Sequence, residues 1–443
     1  AEMKVLRAHY YFELSRLFNK IPYFDENVEI SQYPDIPNNE FTRDEILSML
    51  AKEMLDAAEQ LPASQPEVGR IHKYIALAYA AKIKLYQAYQ QDEITHAVTS
   101  INKELLREVV SLCDQVTASN RYGLLDDFQG LDLVTNENGK ESVFAIQYSM
   151  NDGTESAGRI NWSNLLNSPG GGSPYGGDGF FLPSQDLINA YQTDANGLPD
   201  FNYQSKSDYS WAVLNNGVYT LQNTTPNVDP RLDFVVGRPT ITWKTYPDKP
   251  CEGWVRDKDT YGYNCAKRFW VSPESSDMFN GWPWGASQLN WQIIRYADIL
   301  LWKAEALIEL NEGNGLETAR DLINQIRNRA RNSAYVKDFN DHSKYAANYL
   351  VNPYPADVWN QDYARQALRW ETRLEKALEG ERFFDLVRWG IVETTMNNYI
   401  TAESDNRIYY ANAHFTGGKD EYYPVPNNQY GFSGGKYVQN PGY

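Results

Sequence analysis

Apolar residues recur at helical spacing in two blocks of the chain and lose that rhythm between them. In residues 2–19, Leu6, Tyr10, Leu14 and Leu17 fall three or four positions apart, the spacing that lines one face of a helix. Residues 42–61 predict a second helix. Thr42 stands at the N-cap with Glu45 three positions on, a capping-box pattern, and Pro62 ends the run. Residues 69–90, rich in Ala and Tyr, and 103–118 complete the first block. The second block opens at Arg295 with a helix to Asn311. Gly313 and Gly315 break it, and 316–331, 363–379 and 381–390 read as further helices. Ala304, Ala306 and Ala319 let the first two of these approach closely. The pair resembles a tetratricopeptide helical hairpin, and 69–90 with 103–118 looks like a degenerate second copy.

Between the blocks, from about residue 120 to 290, the pattern changes. Gly170-Gly171-Gly172-Ser173-Pro174-Tyr175-Gly176-Gly177 precedes a stretch rich in Asn, Asp, Pro and aromatic residues. Such turn chemistry predicts long loops, short strands and few helices. Ser184, after Leu182 and Pro183, reads as the opening of one short helix. The expected organisation is a helical scaffold over 1–120, a loop-rich binding subdomain over 121–294, and a helical scaffold with a C-terminal tail over 295–443. A long irregular excursion in a compact protein usually carries function, so the site is sought there.

Charge narrows the partners. Lys plus Arg is 41 and Asp plus Glu is 58, a net charge of −17 over 443 residues. That repels phosphate backbones and anionic membrane surfaces, which argues against nucleic acid and against a polybasic membrane binder. No apolar run of about 18 residues is present, so no helix spans a membrane. The first helical pattern starts at Glu2 with no N-cap residue before it. An N-terminal segment is therefore expected to precede this chain in the whole protein, and a signal or lipid anchor would lie there.

Tests for catalysis are negative. The glycine run at 170–177 lacks the Gly-Lys-Ser/Thr ending of a phosphate loop. Gly431-Phe432-Ser433-Gly434-Gly435 fits Gly-x-Ser-x-Gly, but no His follows, and it reads as a turn. His9, His72, His96, His342 and His414 are scattered, with no metal-ligand spacing and no cofactor motif. Nothing sets a calcium requirement. Glu371, Glu375, Glu379, Glu381 and Asp385 alternate with Arg369, Arg373, Lys376, Arg382 and Arg388. Mixed charges at helical spacing read as a salt-bridged, solvent-facing helix surface rather than a hydrolytic dyad. Of three Cys, Cys113 sits in a helical pattern. Cys251 and Cys265, 14 positions apart, are readable either as a disulfide worth roughly 3 kcal/mol or as two thiols.

The aromatic residues are more informative. Trp243, Tyr246, Trp254, Tyr261, Tyr263, Trp270, Trp282, Trp284 and Trp291 fall within about fifty residues. A ring stacks on the C–H face of a sugar, and amides and charged groups take its hydroxyls. Asn280-Gly281-Trp282-Pro283-Trp284-Gly285 offers both kinds of group in a loop. Asn280, Trp282, Trp284, Trp254, Tyr261 and Tyr263 are therefore the candidate ligand contacts. The alternative for Trp282 and Trp284 is a core position between helices. Trp243 and Trp270, with apolar neighbours, read as core.

Several separated motifs resemble one family. Leu6-Arg7-Ala8-His9-Tyr10-Tyr11-Phe12, Asp229-Pro230-Arg231-Leu232, Arg295-Tyr296-Ala297-Asp298 and Ala304-Glu305-Ala306 occur in that order. Gly380-Glu381-Arg382-Phe383-Phe384-Asp385-Leu386-Val387-Arg388-Trp389-Gly390, Tyr423-Pro424-Val425-Pro426 and Gln439-Asn440-Pro441-Gly442-Tyr443 follow. Together they look like the SusD/RagB family of Bacteroidetes nutrient-binding lipoproteins. The resemblance implies a mainly α, tetratricopeptide-like superhelix carrying a loop-rich ligand subdomain. It implies a lipid-anchored protein on the outer-membrane surface that captures a glycan without catalysis. It further implies delivery to a SusC-like TonB-dependent transporter. None of the three Cys occupies the place of the family's lipidated residue. The shared motifs imply scaffold: Arg295, Asp298, Arg382, Asp385 and Arg388 are expected to form ion pairs between helices. A peptide ligand is the alternative within the family, and a secreted glycoside hydrolase the alternative outside it.

Overall fold

The computed structural model describes residues 1–154, 158–162, 164, 167, 172–246, 253–281 and 285–443. Four helices open the chain: α1 (Glu2–Phe18), α2 (Arg43–Gln60), α3 (Lys73–Ala88) and α4 (Lys103–Ala118). Short helices α5 (Gln185–Ala190), α6 (Arg231–Val235) and α7 (Lys258–Tyr261) punctuate the middle. The second block holds α8 (Tyr296–Leu310), α9 (Gly315–Asn332), α10 (Gln361–Glu375), α11 (Arg382–Arg388), α12 (Val392–Glu403) and α13 (Asn427–Phe432).

Local chemistry sets the ends. The Thr42 hydroxyl accepts from Glu45 N–H, and Glu45 accepts back from Thr42 N–H at 2.8 Å. Asn102 caps α4 by accepting from Glu104 and Leu105 N–H. Asn311, at φ 52°, ends α8 in the left-handed conformation that Asn tolerates. Ser184 caps α5.

The helices stack in chain order up to a point: α1 on α2, α2 on α3, α3 on α4. Then α4 packs directly on α8, α8 on α9, and α10 lies across both. The fold is thus a mainly α array of tetratricopeptide-like hairpins. Everything between α4 and α8 is an excursion that leaves and re-enters at one place. Antiparallel strands Ser142–Ile146 and Trp291–Arg295 pair across its neck. Among the described residues every sheet is two-stranded. α3 is buried almost all round, as a central helix must be, and Ala76, Ala78, Ala80 and Ala81 let its neighbours approach.

Three expectations need correction. On α1 the inward face is Val5, Ala8, Phe12 and Ser15, whereas Tyr10 is 65% exposed and Leu14 is also exposed. Both sets have helical spacing. Side-chain size pointed to the wrong one because Ala8 and Ser15 are small. Arg16 is buried on that face, paired with Glu381 at 2.7 Å and 4.1 Å from the Phe384 ring. The second correction concerns the charged run of α10 and its sequel, which is not a solvent-facing surface. Glu371 and Glu375 are fully buried. Arg231 binds Asp229 (2.7 Å), Glu371 (2.6 Å) and Glu375 (3.1 Å). Arg295 binds Glu141 (3.0 Å), Glu375 (2.6 Å) and Glu379 (2.9 Å). Arg329 joins Glu375, and Arg327 joins Glu371. Buried charge is tolerated only when paired and hydrogen-bonded, and here every carboxylate meets at least one guanidinium. The network ties the excursion (Glu141, Asp229, Arg231) to the scaffold (Arg295, Glu371, Glu375).

Of the ion pairs expected between helices, Asp298 meets Lys376 and Arg388 meets Glu305, whereas Asp385 pairs with Arg388 inside α11 itself. Arg382 departs from expectation. Among the described residues it forms no ion pair, its Nη1 is buried without a partner, and burial with the nearby Arg373 charge pulls it down to about 9.

At the neck, Glu137 accepts from Asn290 N–H at 2.6 Å. Burial, helped by Asp277, pushes its carboxyl up to about 7. A carboxyl raised on folding costs stability above that value and is relieved as pH falls through it. Glu137→Gln is therefore expected to raise the melting temperature by about 1–3 °C at pH 8 and leave it unchanged at pH 5. Scanning calorimetry at the two pH values reads this.

Candidate functional site

Four aromatic side chains form the foundation of the excursion. Tyr175, Trp243, Trp254 and Trp270 pack together, with Trp243–Trp254 centroids 5.0 Å apart and Tyr175–Trp270 4.9 Å apart. Trp243 Nε1–H donates to the Tyr175 hydroxyl (2.9 Å), which donates to Val271 C=O (2.7 Å). Trp243 and Trp270 are core, as expected. Trp254 is core too, at 2% exposure, so its expected role as a ligand contact is corrected. Its ring fills the apolar centre on which the loops stand, and no face is open to solvent. Cys265 is buried in the same cluster, and its thiol faces Gly237 C=O at 3.7 Å. Its suggested disulfide partner Cys251 lies outside the described residues.

The loop carrying Asn280 is rooted on this cluster. Phe279 N–H donates to Ala286 C=O at 2.8 Å and closes it. A Cβ on Gly285 would stand 2.8 Å from Tyr175 C=O, so only glycine allows the root to press on Tyr175. Asn280, one position beyond Phe279, is exposed. Trp282 and Trp284, the strongest expected contacts, lie outside the described residues.

Tyr261 and Tyr263 diverge. Tyr263 is half-buried, hydrogen-bonded to the Ala212 backbone and pushed up to about 12 by burial. It supports the strand Ala212–Asn215 rather than offering its ring. Tyr261, by contrast, is 44% exposed at the end of α7. Asp257 caps this short helix through Thr260 N–H, and Gly262 at φ 74° turns the chain away. Beside Tyr261 stands Tyr409, 48% exposed, with ring centroids 6.1 Å apart and a 44° tilt. Tyr410 follows at 4.5 Å from Tyr409, and Tyr399 of α12 at 5.6 Å from Tyr410. The result is a run of four tyrosines in which Tyr261 and Tyr409 are exposed and Tyr410 and Tyr399 are half-buried.

Arg407 fixes this arrangement. Its guanidinium donates to Tyr261 C=O (2.6 Å) and Pro183 C=O (2.7 Å) and pairs with Glu403 (3.4 Å). Glu403 also accepts from Asp186 N–H at the start of α5. One buried arginine thus staples the segments at 183, 261 and 403–410. Phe180 and Phe181, just before Pro183, are both exposed. Sequence reasoning missed Tyr409, Tyr410, Arg407 and this Phe pair. Their signal was two aromatic dipeptides outside helical spacing, Phe180-Phe181 and Tyr409-Tyr410. The second lies in a segment assigned to scaffold.

Two open clefts border the excursion. One, of about 660 Å³, is lined by Phe128, Asp132, Leu133, Lys244 and Arg268. The other, of about 490 Å³, lies between residues 65–75, 121–122 and 138–147. Among the described residues no group of three or more His, Cys, Asp or Glu is placed to hold a metal. The carboxylates of α10 are locked to arginines and do not reach either cleft.

Comparison with known proteins agrees with this architecture. The family model described as the SusD family matches residues 140–443. A SusD-like protein of Bacteroides ovatus is 22% identical over 408 residues, 88% of this chain and 58% of that protein. The chain thus spans less than two-thirds of the length of that curated relative. A SusD-like carbohydrate binding protein of Bacteroides fragilis superposes with a TM-score of 0.66 at 21% identity, over 97% of this chain and 78% of that one. Surface glycan-binding protein A of Bacteroides thetaiotaomicron, solved in complex with laminarihexaose, gives 0.61 at 16% identity, over 99% and 77%. These likenesses carry the fold, and the match over residues 140–443 carries the family: the chain belongs to the SusD family.

Proposed function

We propose that this chain captures a glycan on the Tyr261–Tyr409 platform and performs no chemistry on it. The observation that carries the reading is the pair of exposed, adjacent rings held in place by a buried arginine. Such a platform is organised before the ligand arrives, so little ordering entropy opposes binding. Rings meet the C–H faces of sugars, and the tyrosine hydroxyls and neighbouring backbone take sugar hydroxyls. Asn280 extends the site, and Trp282 and Trp284 stay in the proposal on sequence grounds. Two similar solved structures are a carbohydrate binding protein and a glycan-binding protein holding laminarihexaose, which supports a sugar ligand. By family analogy the protein sits at the outer-membrane surface through an N-terminal lipid and passes its ligand to a SusC-like TonB-dependent transporter.

Each stack is worth about 1 kcal/mol. Tyr261→Ala and Tyr409→Ala are each expected to weaken a neutral oligosaccharide about fivefold in calorimetric titration. Both side chains are exposed, so the melting temperature stays within about 1 °C of the parent. Heat from short peptides and none from any sugar would replace this reading with peptide capture.

A further inference from the structure

The 490 Å³ cleft is remote in sequence from the tyrosine platform and has its own chemistry. Its floor is apolar, built from Ile75, Val143, Phe144 and Ala145. Its wall carries a fixed amide edge. Asn138 Nδ2–H donates to Gln147 Oε1 (2.8 Å), and Gln147 Nε2–H donates to Asn138 Oδ1 (3.0 Å). Gly69 brings the opposite loop against that edge: at φ 83°, a Cβ there would lie 2.5 Å from Gln147 Cγ. The remaining wall is Tyr122 and His72, with the Tyr122 hydroxyl 3.2 Å from His72 Nε2. His72 is 8% exposed, and its Nδ1 is buried without a partner among the described residues.

Three cations reach this cleft. Arg70 is committed to Glu2 and Glu67, and Lys140 to Asp126. Arg121 is exposed and hydrogen-bonds the Tyr122 side chain, and among the described residues no carboxylate lies within 4.0 Å of it. Burial, then the Arg121 charge, push His72 down to about 4, so His72 is neutral at pH 7 and the uncompensated charge is that of Arg121. An uncompensated guanidinium over an apolar floor, in a chain of net charge −17, selects a ligand that carries an isolated negative charge on a polar body with an apolar face. A polyanion would be repelled, and the planar fork of arginine matches a carboxylate.

We propose that this cleft is a second ligand site and takes a uronate, a sugar residue whose carboxylate pairs with Arg121. The exposed Asn138 amide, whose second N–H and second lone pair have no partner among the described residues, holds its hydroxyls, and the floor takes its C–H face. This rests on the reading of the chain as a glycan-binding protein.

The test is calorimetric titration at low salt with an oligosaccharide that carries a single uronate residue and with its methyl-esterified, uncharged counterpart. The acid is expected to bind at least tenfold more tightly than the ester, and less tightly as salt rises. Arg121→Gln is expected to remove that preference. Arg121→Lys, which keeps the charge and loses the fork, restores part of it. Tyr409→Ala leaves it intact. Equal affinity for acid and ester overturns the proposal, as does an unchanged preference in Arg121→Gln. If Tyr409→Ala abolishes acid binding, or if neutral sugars bind and the acid does not, the proposal fails while the glycan reading stands. Silence toward every sugar, charged or neutral, removes both.

Discussion

Glu375→Ala is expected to destabilise the protein by about 3–5 kcal/mol, the largest effect of any single substitution considered. The carboxylate meets Arg231 (3.1 Å), Arg295 (2.6 Å) and Arg329, all three buried. Removing it leaves three guanidiniums in a low-dielectric interior with their shared counter-charge gone. Glu375→Gln keeps the shape and loses the charge, and is expected to fall close to the alanine variant. The control is an exposed pair: Lys52 and Asp56 meet at 2.5 Å on the surface of α2. Asp56→Ala is expected to cost under about 0.5 kcal/mol. Urea unfolding monitored by circular dichroism separates the two classes. A Glu375→Ala loss no larger than that of Asp56→Ala would contradict the account of the network.

Acid is expected to unfold the parent more steeply than the Glu375→Ala variant. Burial alone pushes the Glu375 carboxyl up, but the charges of Arg329, Arg295 and Arg231 outweigh it and hold the group at about 2. A carboxyl depressed on folding contributes stability that is complete above its unfolded value and lost as pH falls through the folded one. The window runs from about 4.5 down to about 2, and Glu375 accounts for roughly 3 kcal/mol across it. Glu305 and Asp132 are held down in the same way, against burial, by Arg388 and by Lys244 with Arg268. Asp385 and Glu403 act in the opposite sense, because burial pushes their carboxyls up. The difference between parent and variant isolates the Glu375 contribution. Urea midpoints at pH 7, 5, 4 and 3 measure it. A parent-minus-variant gap that stays constant from pH 7 to pH 3 would refute the assignment.

Much of the scaffold was legible in the sequence because caps and breaks are local. Thr42 with Glu45, and Pro62, set the ends of the second helix within a few residues of the observed bounds. α12 escaped detection because Thr394, Thr395, Asn397 and Asn398 are weak helix formers. It exists because tertiary contacts hold it, including Glu403 on the start of α5. The fate of the charged run on α10 was not legible. Alternating charge looks the same whether it faces water or a partner helix, and the partners Arg231 and Arg329 come from distant parts of the chain.

The site was half legible for a similar reason. A cluster of rings in sequence says nothing about which of them are needed as core. Trp254 went inward because it packs against Tyr175 and Trp243 in the aromatic cluster on which the loops stand. Tyr261 stayed outward because Asp257 and Gly262 make a short projecting helix. Its partner Tyr409 lies 148 positions away and is brought beside it by Arg407. No window along the chain contains that pairing.

The measurement that tests the central claim most directly is calorimetric titration of the parent and of Tyr261→Ala/Tyr409→Ala with neutral oligosaccharides, laminarihexaose among them. Product analysis is run on the same samples. The expected result is saturable heat from one sugar class, no cleavage, and affinity at least tenfold weaker in the double variant with its melting temperature unchanged. Undiminished affinity in the double variant, or accumulation of shortened sugar, would contradict the account.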